Sequence, residues 1–132
     1  ITAARLALWR QYNDAFAEEE SAGLVRRPVV PHDAQHNGHI FYLLARTSAM
    51  RDFLLDRLSQ EGIGAIFHYV PLHNAPAGLR YARSAGSLAV TEEMAARLVR
   101  LPLWVGMGDL TDVVISAVKR LLRAAEQALS HR

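Results

Sequence analysis

There is no cysteine in this chain of 132 residues. That excludes disulfides, thiolate zinc centres and cysteine nucleophiles, and agrees with a reducing compartment such as the cytoplasm. Lysine is almost as scarce, because the basic residues are 14 arginines and one lysine, Lys119. Any chemistry that needs a side-chain amine must use that one. A formal charge of +2, with the basic residues scattered along the chain, sets nucleic acid aside as a partner. No apolar run approaches the roughly 20 residues of a membrane span, and no basic, apolar and small-residue succession marks a signal peptide. Nucleophile-elbow, Walker and dinucleotide-binding glycine patterns are missing as well.

The composition is globular, with 51% apolar and 21% charged residues. The length suits one domain around one core. The chain begins at Ile1 without a methionine and already reads as helix by Ala3 or Ala4, as the tail of a longer protein would. Leu6, Trp9, Tyr12 and Phe16 recur at helical spacing with Gly23 as a stop, so one helix is expected over 1–23. Pro28 and Pro31 bracket a short extended pair, Val29 and Val30. Residues 40–45 are continuously apolar and fit a strand buried on both faces.

Ser48 is placed to cap a helix whose stripe is Met50, Phe53, Leu54 and Leu58, with Gly62 as its left-handed end. A second strand is expected over 63–70. Residues 74–88, with Pro76, Gly78, Ser84, Gly86 and Ser87, read as a long functional or mobile surface loop holding one helical turn. Thr91 is expected to cap a helix that turns Met94 and Leu98 inward, followed by a short extended run over 101–104. Thr111 then caps the last helix, striped by Val114, Ile115, Val118, Leu121, Leu122, Ala125 and Leu129. The order implies an α/β fold of two layers, a small sheet covered by helices mainly on one face. The strands at 40 and 63 would run parallel, with the 101 strand antiparallel between or beside them.

His32, His36 and His39 have a spacing that suits metal ligands on a helix, but Pro31 and Asn37-Gly38 break any helix there. A polar loop without metal is the expectation, and His39, next to a buried strand, needs a partner or ligand. His68, Tyr69 and His73 surround Pro71. Strand alternation would send His68 and Tyr69 to opposite faces, and the proline bend would bring His73 back toward one of them. Such residues offer hydrogen bonds without strong charge, which suits hydroxyls, a sugar or a phosphate. A core histidine plus a loop histidine is the alternative. Lys119, beside Arg120, has nothing near it in sequence to desolvate it, and reads as a solvated surface lysine instead of a Schiff-base former.

On residues alone this is a binding or accessory domain, either part of an enzyme or a stand-alone α/β ligand-binding or regulatory module. More specific are NGHIFYLL at 37–44, GIGAIFHYVPLH at 62–73, Thr91-Glu92 with RLVRLPLW at 97–104, and Val114-Ile115. In this order they resemble the C-terminal small domain of the DegT/DnrJ/StrS family of sugar aminotransferases. The first helix, with Trp9 and Tyr12, is similar to the family helix that joins the large domain to the small one. The resemblance implies a fold type I, pyridoxal-phosphate-dependent homodimer that moves an amino group from glutamate to a dTDP-4-keto-6-deoxyhexose. Such amino sugars go to lipopolysaccharide or another surface polysaccharide. It further implies that the cofactor lysine lies in the large domain, so that this stretch alone holds no catalytic or cofactor-binding residue and is inactive. His68 and Tyr69, with His73 and His39, are carried over by the same resemblance as substrate-binding residues.

Overall fold

A computed structural model describes residues 1–129. Helix α1 (Thr2–Ala15) and the short α2 (Ala17–Ser21) replace the single helix expected over 1–23. The backbone leaves helical geometry only at Phe16, and the bonds from Phe16 N–H to Tyr12 and from Glu20 N–H to Phe16 carry the ladder through. The interruption is therefore a bend. Gly23, at φ +70°, ends α2 as expected.

The first strand, β1 (Val25–Arg26), precedes the Val29-Val30 pair. Pro28 and Pro31 cannot donate to a ladder, and Val29 is left exposed. Then follow β2 (Phe41–Ala45), α3 (Ser48–Gln60), a 3₁₀ turn (Leu72–Asn74), α4 (Pro76–Tyr81), α5 (Ala89–Arg97), β3 (Leu98–Leu101) and α6 (Leu110–Leu129). The loop expected over 74–88 thus contains a full short helix.

The sheet has the order β1-β2-β3 and is antiparallel throughout. Phe41 pairs with Leu101, Leu43 with Val99 and Val25 with Ala45. Directly paired residues share a face, so these six apolar side chains form the inner face. The core is this face packed with Trp9, Tyr12 and Phe16 of the first helical stretch, Met50, Leu54 and Leu58 of α3, and the α6 stripe. The expected layer of helices on one face is what the chain builds. Tyr12 fastens it further, donating its hydroxyl hydrogen to the Pro102 carbonyl at 2.8 Å, and burial pushes its phenol well above the ordinary range.

The strand expected over 63–70 shrinks to a single bridge. Ile66 exchanges both backbone bonds with Arg100, at 3.1 and 2.7 Å, and pairing stops there. The next such rungs would match residue 64 with Pro102, which has no N–H, and residue 68 with Leu98, where α5 has only just ended. Direction is nevertheless as expected: β2 and the Ile66 segment both oppose β3, so they run parallel with β3 between them. The third strand occupies 98–101 instead of 101–104, because Val99 and Leu101 alternate inward and Pro102 ends the ladder.

Three caps shift. Thr47, not Ser48, caps α3, its hydroxyl accepting the Met50 N–H at 3.1 Å. Helix α5 begins at Ala89, two residues before Thr91. Thr111 lies inside the first turn of α6, fully buried, with a hydroxyl that finds no hydrogen-bond partner. The segment before β2 is pressed onto α1: Gly38 has φ +61°, and a Cβ there would stand 3.0 Å from the backbone of Arg5 and of Leu6. Among the described residues no helix is long and apolar enough to cross a membrane.

Candidate functional site

The chain after the Ile66 bridge is held by few bonds and turns its apolar residues outward. Phe67, Tyr69, Val70 and Leu72 are exposed, Tyr69 by 70% and Leu72 by 84%, and Leu79 and Tyr81 of α4 continue the strip. A contiguous apolar strip of this kind marks a contact or ligand surface.

His68 and Tyr69 are not on opposite faces. With no strand to enforce alternation, their rings meet edge to face at 4.5 Å. The Arg100 guanidinium stands 3.5 Å from His68 Nδ1. The bend at Pro71 carries His73 to Glu92 of α5, not back to His68 or Tyr69, with Nε2 3.0 Å from the carboxylate. Asn74 donates to the same oxygen at 3.3 Å. The bond to His73 first, then that to Asn74, holds the Glu92 carboxyl below the usual carboxylate range.

Two clefts flank this wall. One, of about 270 Å³, lies between Phe67, Tyr69 and Val70 on one side and Arg51, Asn74 and Glu92 on the other. The second, of about 410 Å³, is lined by His68, Tyr69, Leu72, Met94 and Leu98. His39 lies elsewhere, in a cleft of about 140 Å³ with Gly64, Ile66, Arg100 and Pro102. The structure therefore brings His68 and Tyr69 together, turns His73 away to Glu92, and leaves His39 in a neighbouring cleft. Arg100 joins the two, touching His68 while lining the His39 cleft.

Arg51, Asn74, Glu92 and Arg100 belong to this region but are not legible as site residues in the sequence. Glu92 looks like ordinary first-turn acid and Arg100 like the solvent face of a strand. The Ile66 bridge gives Arg100 its position, and no local pattern announces that bridge.

His36 packs its ring against Trp9 at 4.5 Å. Among the described residues no group of three histidines or carboxylates could hold a metal ion. Lys119 is half-buried instead of freely solvated, with its ammonium 3.5 Å from Glu19 and 3.8 Å from Glu18. Glu19 is only 3% exposed and its Oε2 accepts no directed hydrogen bond, so charge proximity ties α6 to α2 there. An amine committed to that pair, and lining none of the three clefts, does not fit the Schiff-base position of a pyridoxal enzyme.

The architecture is that of an aminotransferase domain. TlmJ from Streptoalloteichus hindustanus, an aminotransferase, superposes with a TM-score of 0.79 at 24% identity, over 93% of this chain and 32% of its own. S. venezuelae DesV, solved in complex with a ketimine intermediate, gives 0.77 at 30% identity over 92% of this chain and 32% of its own. The chain belongs to the DegT/DnrJ/EryC1/StrS aminotransferase family, whose model matches residues 1–119. The dTDP-3-amino-3,4,6-trideoxy-alpha-D-glucose transaminase of Micromonospora megalomicea subsp. nigra is 30% identical over 124 residues, 91% of this chain and 32% of that protein. The chain thus spans about a third of the length of the curated relatives it matches.

Proposed function

We propose that these residues are the C-terminal small domain of a nucleotide-sugar aminotransferase, with 1–23 leading in from a large domain. The parent uses pyridoxal phosphate to move an amino group from glutamate to a dTDP-linked keto-6-deoxyhexose, in the cytoplasm, on the way to a surface polysaccharide or lipopolysaccharide. The observation that carries this reading is the 30% identity to a dTDP-amino-sugar transaminase across 91% of the chain. The resemblance of the run FHYVPLH at 67–73, with Pro76 and Gly78, to dTDP-4-amino-4,6-dideoxygalactose transaminase supports a keto group at C4, while the relative named above carries its amino group at C3.

The cofactor supplies the electron sink and this domain supplies position. His68 and Tyr69 present an imidazole and a phenol to sugar hydroxyls. His73, engaged with Glu92, holds the turn on which they stand, and His39 faces the substrate from its own cleft. The apolar strip from Phe67 to Tyr81 is the surface on which the large domain or the second subunit of a homodimer closes the site. Without those parts the domain is inactive.

Incubating the parent with glutamate and dTDP-4-keto-6-deoxyglucose, with the product read by NMR, tests the proposal. Nitrogen on C4 is expected. Amination only of a 3-keto sugar would overturn the regiochemistry, and failure to aminate any dTDP-keto-sugar would overturn the reading. Micromolar binding of a dTDP-sugar by residues 1–132 alone would favour a self-contained binding module instead.

A further inference from the structure

Arg51, Arg100 and Arg120 each line a cleft, and two of them are neutralised. Arg51 Nε is 3.0 Å from Asp52, and Arg120 is paired with Glu61 at 2.6 Å. Arg100 forms no ion pair among the described residues, and its one side-chain polar neighbour is the His68 imidazole. A guanidinium kept in a cleft without a carboxylate retains its full charge and several N–H donors for an incoming anion.

The backbone fixes that guanidinium. Arg100 exchanges both of its main-chain bonds with Ile66, so across the sheet it forms a pair with Tyr42 that shares no main-chain bonds. In such pairs side chains approach most closely, and Tyr42 and Arg100 share the outer face of the sheet. His39 lines the same cleft from the segment before β2, and His68 stands against the same guanidinium. Arg100 and His39 thus share one small space, with the His68 imidazole beside it. At about 140 Å³ the space has the room of four or five waters at about 30 Å³ each, enough for a phosphoryl group.

We propose that Arg100, with His39 and His68 beside it, is the clamp for the diphosphate of the nucleotide sugar; this rests on the function proposed above. A lone carboxylate, such as that of the amino donor, would be satisfied by the guanidinium fork alone. A diphosphate, with more charge and more acceptor oxygens, uses the flanking imidazoles as well. The histidines of the sequence motifs then serve two parts of one ligand: Tyr69 faces the sugar, His39 faces the diphosphate, and His68 stands at the junction.

The test is steady-state kinetics of the parent with Arg100→Gln and Arg100→Lys, using dTDP as a competitive inhibitor against the dTDP-sugar. Arg100→Gln is expected to raise both the KM for the dTDP-sugar and the Ki of dTDP by about 10- to 100-fold, the loss of one charge-assisted contact. The KM for glutamate should stay within about twofold. Arg100→Lys, which keeps the charge and the strand packing, is expected to fall between, and decides the matter if the glutamine variant melts early. An unchanged Ki for dTDP, or a rise confined to the KM for glutamate, overturns the assignment. A wild-type parent that does not saturate with any dTDP-sugar would instead defeat the functional reading.

Discussion

Phe41→Ala is expected to cost about 4 kcal/mol, most of what a domain of this size has in reserve. Phe41 is fully buried at the start of β2 and is the ring on which the aromatic cluster converges. Tyr12 stacks on it at 5.1 Å, Phe16 at 6.2 Å, and Trp9 meets it edge-on at 5.5 Å. Removing it empties the contact between the first helix and the sheet, and no neighbouring side chain is free to fill the space. Urea denaturation of the parent, followed through Trp9 fluorescence, should show the midpoint of this domain falling by about 2 M. Phe53→Ala is the comparison: Phe53 is only partly buried, with Arg57 over its ring at 5.5 Å, and should cost roughly 1 kcal/mol. Equal losses at the two positions would mean that the core is not organised around Phe41.

Gly78→Ala should leave global stability almost untouched and disrupt the site. A Cβ at Gly78 would lie 1.6 Å from the Leu72 carbonyl oxygen and 2.7 Å from its carbon. No rotamer relieves that clash, because both partners are backbone. The 3₁₀ turn must separate from α4, and with it His73 leaves Glu92 and the Tyr69 wall loses its support. The residues of α4 are largely exposed, Leu79 by 71% and Tyr81 by 75%, so little core burial is lost. The expected result is at least a tenfold fall in kcat/KM of the parent, with proteolytic nicking within 72–82 and an unchanged melting temperature. A variant as resistant to protease as the wild type would contradict the packing described here.

The elements legible in the sequence were those that bury a regular stripe within this chain. Helix α6, with Val114, Val118, Leu121 and Leu122 inward, and β2, apolar on both faces, stand as their periodicity implies. The strand expected over 63–70 failed because Ile66, Phe67 and Val70 look like core residues yet face outward. An apolar pattern reports that a surface will be covered, and is silent on whether this chain does the covering. The cap of α3 failed for a narrower reason: Thr47 and Ser48 are equally good hydroxyls, and tertiary packing decides which one starts the helix. For the site, His68, Tyr69 and His73 were legible as polar groups around a proline. Their relation to Arg100, Glu92 and Asn74 depends on the Ile66 bridge and the start of α5, both long-range features.

The sequence around Lys119 predicts a solvated amine, whereas the ammonium is half-buried and stands 3.5 Å from the buried Glu19. On the function proposed above, this domain is a wall that positions substrate and the cofactor amine comes from the large domain. The most direct test is borohydride reduction of the pyridoxal-loaded parent followed by peptide mapping. The pyridoxyl label is expected on a lysine outside 1–132, with every peptide from this domain unlabelled. A label on Lys119 would contradict the account.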